Sequence, residues 1–366
     1  MKILSVRTGL NHAVRVTVAA LSIMLGAAAP AAAQCPGDVT SDGHINGADL
    51  GLVLAAWASD GTDEPGSDVN QDGIVNGVDL AYVLGAWGPC VTTPAWATLI
   101  EAFPDLAVVT DATLRAAITA TGLAWRVKDT ATQIEFVLIP PGSFQMGCSA
   151  SQQYGCSSNE SPVHTVTLTN AFYMGRYEVT QAQWQARMGS NSSYLQSAST
   201  QVPAAQVPNR PVERVSWSTI QGFLTQTGMR LPTEAEWEYA YRAGTTTAFH
   251  GFSGYLSGTN DDNLLGNIAW IGSNSNGQTR PVGGKLGNGY GLHDMSGNVW
   301  EWVNDWYGSY PAGAQVAPPG PTTGSSRVFR GGSWAFNSSS CRASIRFYAG
   351  PFNFSDNIGF RAARTP

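Results

Sequence analysis

The sequence predicts an irregular, loop-rich α+β protein preceded by a small all-α module, and three observations carry that expectation. The chain holds 41 Gly and 12 Trp with only 13% charged residues. That composition suits turns and aromatic anchors better than a charged helical bundle. Acidic, glycine-punctuated segments repeat near the N-terminus, each followed by an apolar stripe of helical period. Beyond residue 130, short apolar runs alternate with Gly and Pro turns, the pattern of short strands mixed with a few capped helices.

The first residues read as a secretory signal peptide, 1–33. Basic Lys2, Arg7 and Arg15 precede the apolar run Val16 to Ala29, and Ala31-Ala32-Ala33 follows as a small-residue cleavage site. The apolar run is shorter than the roughly 20 residues of a membrane span. Gln34 stands before Cys35, so lipid attachment there is not expected. The mature protein is therefore expected outside the cytoplasm, extracellular or periplasmic, with no membrane span. Its net charge of −6 is uneven. Residues 35–90 hold nine Asp or Glu and no Lys or Arg, whereas residues 91–366 balance to zero. No basic cluster exists to hold nucleic acid. Local acidity instead asks for a cation.

Two segments of residues 35–90 stand 30 residues apart: Asp38-Val-Thr-Ser-Asp-Gly-His-Ile-Asn-Gly-Ala-Asp49 and Asp68-Val-Asn-Gln-Asp-Gly-Ile-Val-Asn-Gly-Val-Asp79. Oxygen-bearing side chains fall at loop positions 1, 3, 5, 9 and 12, and Gly at position 6, as in an EF-hand loop for Ca²⁺. The candidate ligands are Asp38, Thr40, Asp42, the His44 carbonyl, Asn46 and Asp49, then Asp68, Asn70, Asp72, the Ile74 carbonyl, Asn76 and Asp79. A helical stripe ending in Trp follows each loop, Leu50 to Trp57 and Leu80 to Trp87, and no comparable helix precedes either. This tandem loop–helix pair resembles a dockerin domain. The resemblance implies docking on a cohesin-type partner, and a Ca²⁺-stabilised spacer is the other reading. Cys35 and Cys90 bracket the module, and joining them would contribute on the order of 4 kcal/mol in the chain-entropy picture.

Residues 91–130 read as a helical connector, with helices over Pro94 to Leu106 and Ala112 to Thr121, the second capped by Asp111. The large domain, 131–366, opens with a strand–turn–strand over Ile134 to Gly147. Cys148 and Cys156 flank a short loop and are close enough in sequence to bridge it. Thr233 and Glu236 form a capping box ahead of a short helix whose role reads as structural. Glu301 sits among aromatics at the end of Gly291 to Trp302 and needs either a cation or an Arg or Lys partner.

The motifs FxMG, ExPxHxVxL, EVT, PVERVSW, RLPTEAEWEYAYRAG, PVG, GLHDMSGNVWEW, RGGSW and GFRAAR occur in that order. Together they resemble the formylglycine-generating enzyme, or sulfatase-modifying factor, family. The resemblance implies a Ca²⁺-stabilised fold of the C-type-lectin-like kind. It implies one Ca²⁺ site from Asp294, the Gly297 and Val299 carbonyls and Glu301, favouring metal over an Arg partner at Glu301. It also implies part of a second site from Asn267 and the Ile268 carbonyl. There the following carboxylate is missing, and Asn274 stands nearest its place.

Active members of that family oxidise a sulfatase cysteine with O₂ and copper, holding Cu(I) between two thiolates, a soft pair suited to a soft ion. The later cysteine corresponds to Cys341 and the earlier to Phe336, while Ser333 and Trp300 match pocket positions. A phenylalanine cannot ligate copper. The expectation is therefore a domain that has lost the oxidase site and binds a ligand or partner, the alternative being a formylglycine-generating oxidase acting on sulfatases with Cys341, Ser333 and Trp300 catalytic. No GxSxG turn or zinc motif offers another chemistry.

Overall fold

The computed structural model describes residues 35, 37–196 and 202–366; the signal-peptide reading lies outside them. No helix among the described residues is long and apolar enough to cross a membrane.

In the acidic module each loop runs into a nine-residue helix, α1 Gly47–Ala55 and α2 Gly77–Gly85. Asn46 and Asn76 cap them, accepting from Ala48 N–H and Val78 N–H, while Asp49 and Asp79 reach back to the cap backbone. Ile45, Val53, Val75 and Val83 form a small core closed by Cys90, and the Cys35–Cys90 disulfide joins the ends.

The segment 94–106 departs from the expected helix: Ala97–Glu101 is a strand. Its Thr-Leu-Ile centre fits a pleated surface, and Arg126–Asp129 offers an antiparallel partner. Both strands belong to a five-stranded antiparallel sheet. Its order is Ala363–Arg364, Phe172–Gly175, Glu135–Ile139, Arg126–Asp129 and Ala97–Glu101. Residues 91–130 are thus part of the large domain's sheet rather than a purely helical connector. The second expected helix is present as α3, Ala112–Thr119, and Asp111 accepts from Thr113 N–H and Leu114 N–H.

Three more helices follow, α4 Gln181–Met188, α5 Trp217–Thr227 and α6 Glu234–Arg242. The capping box of α6 forms as expected, and Glu236 also takes both ends of the Arg230 guanidinium at 2.7 Å. Two smaller sheets complete the scaffold. One runs Phe347–Ala349, Arg327–Arg330, Trp300–Trp306, Ile358–Phe360; the other runs Gln315–Val316, His164–Leu168, Gly142–Met146. One continuous core, including Trp125, Trp237, Trp300 and Trp302, packs between these sheets and helices. A second, smaller core gathers Ala248, Phe249, Phe252, Leu265, Ile268 and Ile271 around Cys341. Cys148 and Cys156 are joined, leaving Cys341 the free cysteine.

Candidate functional site

The loop after the strand Arg327–Arg330 carries the candidate centre. Gly331 and Gly332 both have positive φ, 96° and 79°. A Cβ on Gly332 would lie 2.3 Å from the Cys341 sulfur. The glycine pair therefore lets the chain cross directly over this thiol. Cys341 ends a short 3-10 turn, Ser338–Cys341, and is fully buried. Its sulfur stands 3.7 Å from the Asn337 carbonyl, and burial pushes the thiol up to about 12. At neutral pH it is a thiol and not the thiolate that attacks or binds metal. Neither His250 nor His293 activates it. The His250 Nδ1 bonds the Gly251 carbonyl, and the His293 Nδ1 bonds that of Lys285.

Phe336, five residues before Cys341 in the chain, has 38% of its surface exposed and stands edge-on to Trp300 at 5.7 Å. Trp300 is also packed by Phe329 and Phe347. Ser333 is fully buried and accepts from Ala335 N–H at 3.4 Å. A cleft of about 660 Å³ opens between Ile271–Ser273 and Ala335–Ser340, with Asp262 on its rim. The arginines at the ends of the stretch are structural. Arg330 binds Glu238 and three carbonyls, and Arg346 binds Glu234.

Behind this loop lies a buried group of carboxylates. Asp294 adopts φ 56°, its Oδ2 accepts from Gly283 N–H at 2.6 Å, and its Oδ1 is buried without a partner. Glu301 is met by Arg361 through both nitrogens and by Trp237 Nε1 at 2.7 Å. The partner that Glu301 requires is thus an arginine, where the motif had favoured metal. Glu178, which the sequence reading did not single out beyond its motif, accepts from Val299 N–H and Asn298 Nδ2. Three buried carboxylates stand against Arg361 and the more distant Lys285. Burial first, then Asp294 and Glu301, raise Glu178 well above its ordinary range, and burial pushes Asp294 up to about 6. This excess of negative charge, with one oxygen orphaned, fits a cation. The second motif fits less well. Asn267 Nδ2 bonds the Leu264 carbonyl, and Asn274 accepts from Ile271 N–H, so both amides serve their own turns.

In the acidic module, position-1 carboxylates hold the loops. Asp38 accepts from Asp42 N–H and Gly43 N–H, and Asp68 from Asp72 N–H and Gly73 N–H. Asp42 and Asp72 take the N–H of His44 and Ile74. Thr40 and Asn70 donate their N–H to Asp49 and Asp79. Burial works against the charge of Asp49 and Asp79, but these donors outweigh it and hold both below the usual carboxylate range. Among the described residues no three His, Cys, Asp or Glu side chains form a metal cage by themselves. Backbone carbonyls, Asn and Thr oxygens and water would complete each set.

A sequence profile described as "Sulfatase-modifying factor enzyme 1-like domain" matches residues 109–366. The chain belongs to that family. A "Dockerin type I domain" profile matches residues 36–84 ahead of it. The sulfatase-modifying-factor chain is 32% identical over 301 residues to "Formylglycine-generating enzyme" of Streptomyces coelicolor, covering 68% of this chain and 94% of that protein. It is 31% identical to the enzyme of that name in Mus musculus, covering 63% and 74%. Among solved structures, "Treponema denticola variable protein 1" matches with a TM-score of 0.56 and 31% identity, over 65% of this chain and 98% of that one. "Structure of PvdO from Pseudomonas aeruginosa" matches with a TM-score of 0.53 and 27% identity, over 66% and 98%.

Proposed function

We propose that this sulfatase-modifying-factor protein is exported and binds a ligand or protein partner at the cleft beside Phe336 instead of oxidising a substrate. The observation that carries the reading is Phe336, edge-on to Trp300, at the sequence position where the first copper thiolate would stand, together with a Cys341 thiol sealed by Gly332. These residues do not fit a Cu(I) pair: one is a hydrocarbon ring, and the other is a buried neutral thiol. Ser333 and Trp300 support the walls of the cleft.

In the same reading, Ca²⁺ stabilises both parts. Asp294 with the Gly297 and Val299 carbonyls would hold one ion, with Glu301 steadied by Arg361. Asn267 and the Ile268 carbonyl are the weaker set. The two acidic loops would hold one ion each through Asp38 to Asp49 and Asp68 to Asp79, and the module would tether the protein to a cohesin-type partner. The domain limits proposed are 35–90 for the module and 131–366 for the large domain, the latter drawing on the sheet strands before it.

The second reading is a formylglycine-generating oxidase acting on sulfatases, which the 32% identity across 94% of the Streptomyces protein favours. One experiment separates the two. The purified protein is incubated with Cu(I), O₂ and a Cys-x-Pro-x-Arg peptide, and aldehyde is sought by mass spectrometry. No aldehyde is expected, whereas aldehyde lost in Cys341→Ser would overturn the binding reading.

A further inference from the structure

A separate cavity of about 320 Å³ lies away from Phe336, between the N-terminus of α6, the strand His164–Leu168 and the loop 308–321. Its polar lining is unusual in being almost fully spent. Glu234 accepts from Arg346 through both oxygens and from the Tyr310 hydroxyl. Arg346 also donates to the Gly308 carbonyl. Two buried groups keep an unused atom. Asp305, 4% exposed, accepts Glu234 N–H through Oδ2 at 2.7 Å, and its Oδ1 has no hydrogen bond to any described residue. His164, 5% exposed, bonds the Pro162 carbonyl through Nδ1 at 3.0 Å. A carbonyl only accepts, so Nδ1 carries the proton and Nε2 presents a lone pair.

With Asp305 ionised and the His164 ring neutral, both unused atoms are acceptors, so the complementary group must be rich in donors. Asp305 also has no ion-pair partner: Arg330 and Arg346 answer Glu234, and Arg242 and Arg330 answer Glu238. A buried unpaired carboxylate calls for a cation. Tyr310 and His164, with ring centroids 5.0 Å apart, and four prolines supply apolar walls. A divalent metal ion would require more hard oxygen ligands, and among the described residues no three His, Cys, Asp or Glu side chains gather to hold one. We infer that this cavity is a binding site for a small organic ammonium, its N–H groups on Asp305 Oδ1 and His164 Nε2 and its body against Tyr310 and the prolines. The inference is independent of what the cleft beside Phe336 does.

Burial and then Glu234 push Asp305 up to about 8; Glu236 acts the same way, and Arg346 and Arg327 act against them. An ammonium must therefore displace a proton below that pH, and its affinity rises toward pH 8. Calorimetric titration of the full chain with phenethylammonium, 2-phenylethanol, phenylacetate and N-acetyl-lysine amide tests the site, the last probe mimicking a protein lysine. Phenethylammonium is expected to bind and its neutral and anionic analogues not to. Binding by the lysine amide alone would assign the same chemistry to a protein side chain. Asp305→Asn keeps an oxygen for Glu234 N–H and is expected to weaken binding about tenfold or more. Val316→Trp, at a 68% exposed rim position, is expected to block entry without touching the core. Equal binding of 2-phenylethanol, no binding by either ammonium, or affinity unchanged in both variants would overturn the inference.

Discussion

His250 shows what a buried ring costs when one nitrogen has nothing to bind. It is fully buried, its Nδ1 bonds the Gly251 carbonyl, its Nε2 is orphaned, and its ring meets Tyr241 edge-on at 5.2 Å. Burial lowers it from 6.5 to about 4. The unfolded chain therefore binds more protons than the folded one between those values, and stability is lost as pH falls through that window. The loss amounts to about 3 kcal/mol. In His250→Phe the drop in urea-derived stability between pH 7 and pH 4.5 is expected to shrink by most of that amount; an unchanged drop would mean the ring is solvated. At the same scale, Glu238 is fully buried between Arg242 and Arg330. Glu238→Gln leaves two guanidinium groups short of charge and is expected to cost about 3–5 kcal/mol, read as a lower urea midpoint. Its Glu238–Arg242 half is a local i,i+4 pair on α6, but Arg330 meets them only after the chain has folded, so the network as a whole was not legible in the sequence. The same holds for Arg361 beside Glu301 and for Asp305 and His164 lining one cavity.

Elements were legible where the local signal and the tertiary contacts agree. The capping box at Thr233 marks its helix start in the sequence, whereas those at Asn46 and Asn76 emerge from the structure. Ala97–Glu101 was misread because its apolar spacing is compatible with a helix, and the deciding partner, Arg126–Asp129, lies 25 residues on. Calcium at the two acidic loops also belongs to this scale. Each loop holds carboxylates on its own N–H groups, yet places Asp38, Asp42 and Asp49, or Asp68, Asp72 and Asp79, within one turn of chain. In the calcium reading proposed above, a bound ion would relieve the mutual repulsion of these charges. Chelation is therefore expected to lower the melting temperature of the module, and Asp42→Ala together with Asp72→Ala is expected to abolish that response. A module that melts identically with and without chelator would count against both ions.

On the scale of the whole molecule, the two parts differ in what holds them. The large domain has a core of over forty buried residues, including five tryptophans that are almost wholly buried. The module has six. A core of that size cannot by itself offset the conformational entropy of more than fifty residues. The module must therefore lean on Cys35–Cys90, which closes a separation of 55 residues, and, in the reading proposed above, on calcium. In the chain-entropy picture that closure contributes about 4 kcal/mol, nearly all of it through the unfolded state. The large domain gains less from its own bridge, Cys148–Cys156, which spans only 8 residues and contributes about 2.5 kcal/mol in the same picture. Two calorimetric transitions are expected from the full chain. Cys35→Ser with Cys90→Ser should lower only the module's transition, and calcium should recover part of the loss because it acts on the folded loops. If both transitions moved together, the two cores would be one cooperative unit, and the module could not be treated as a separately stabilised tether.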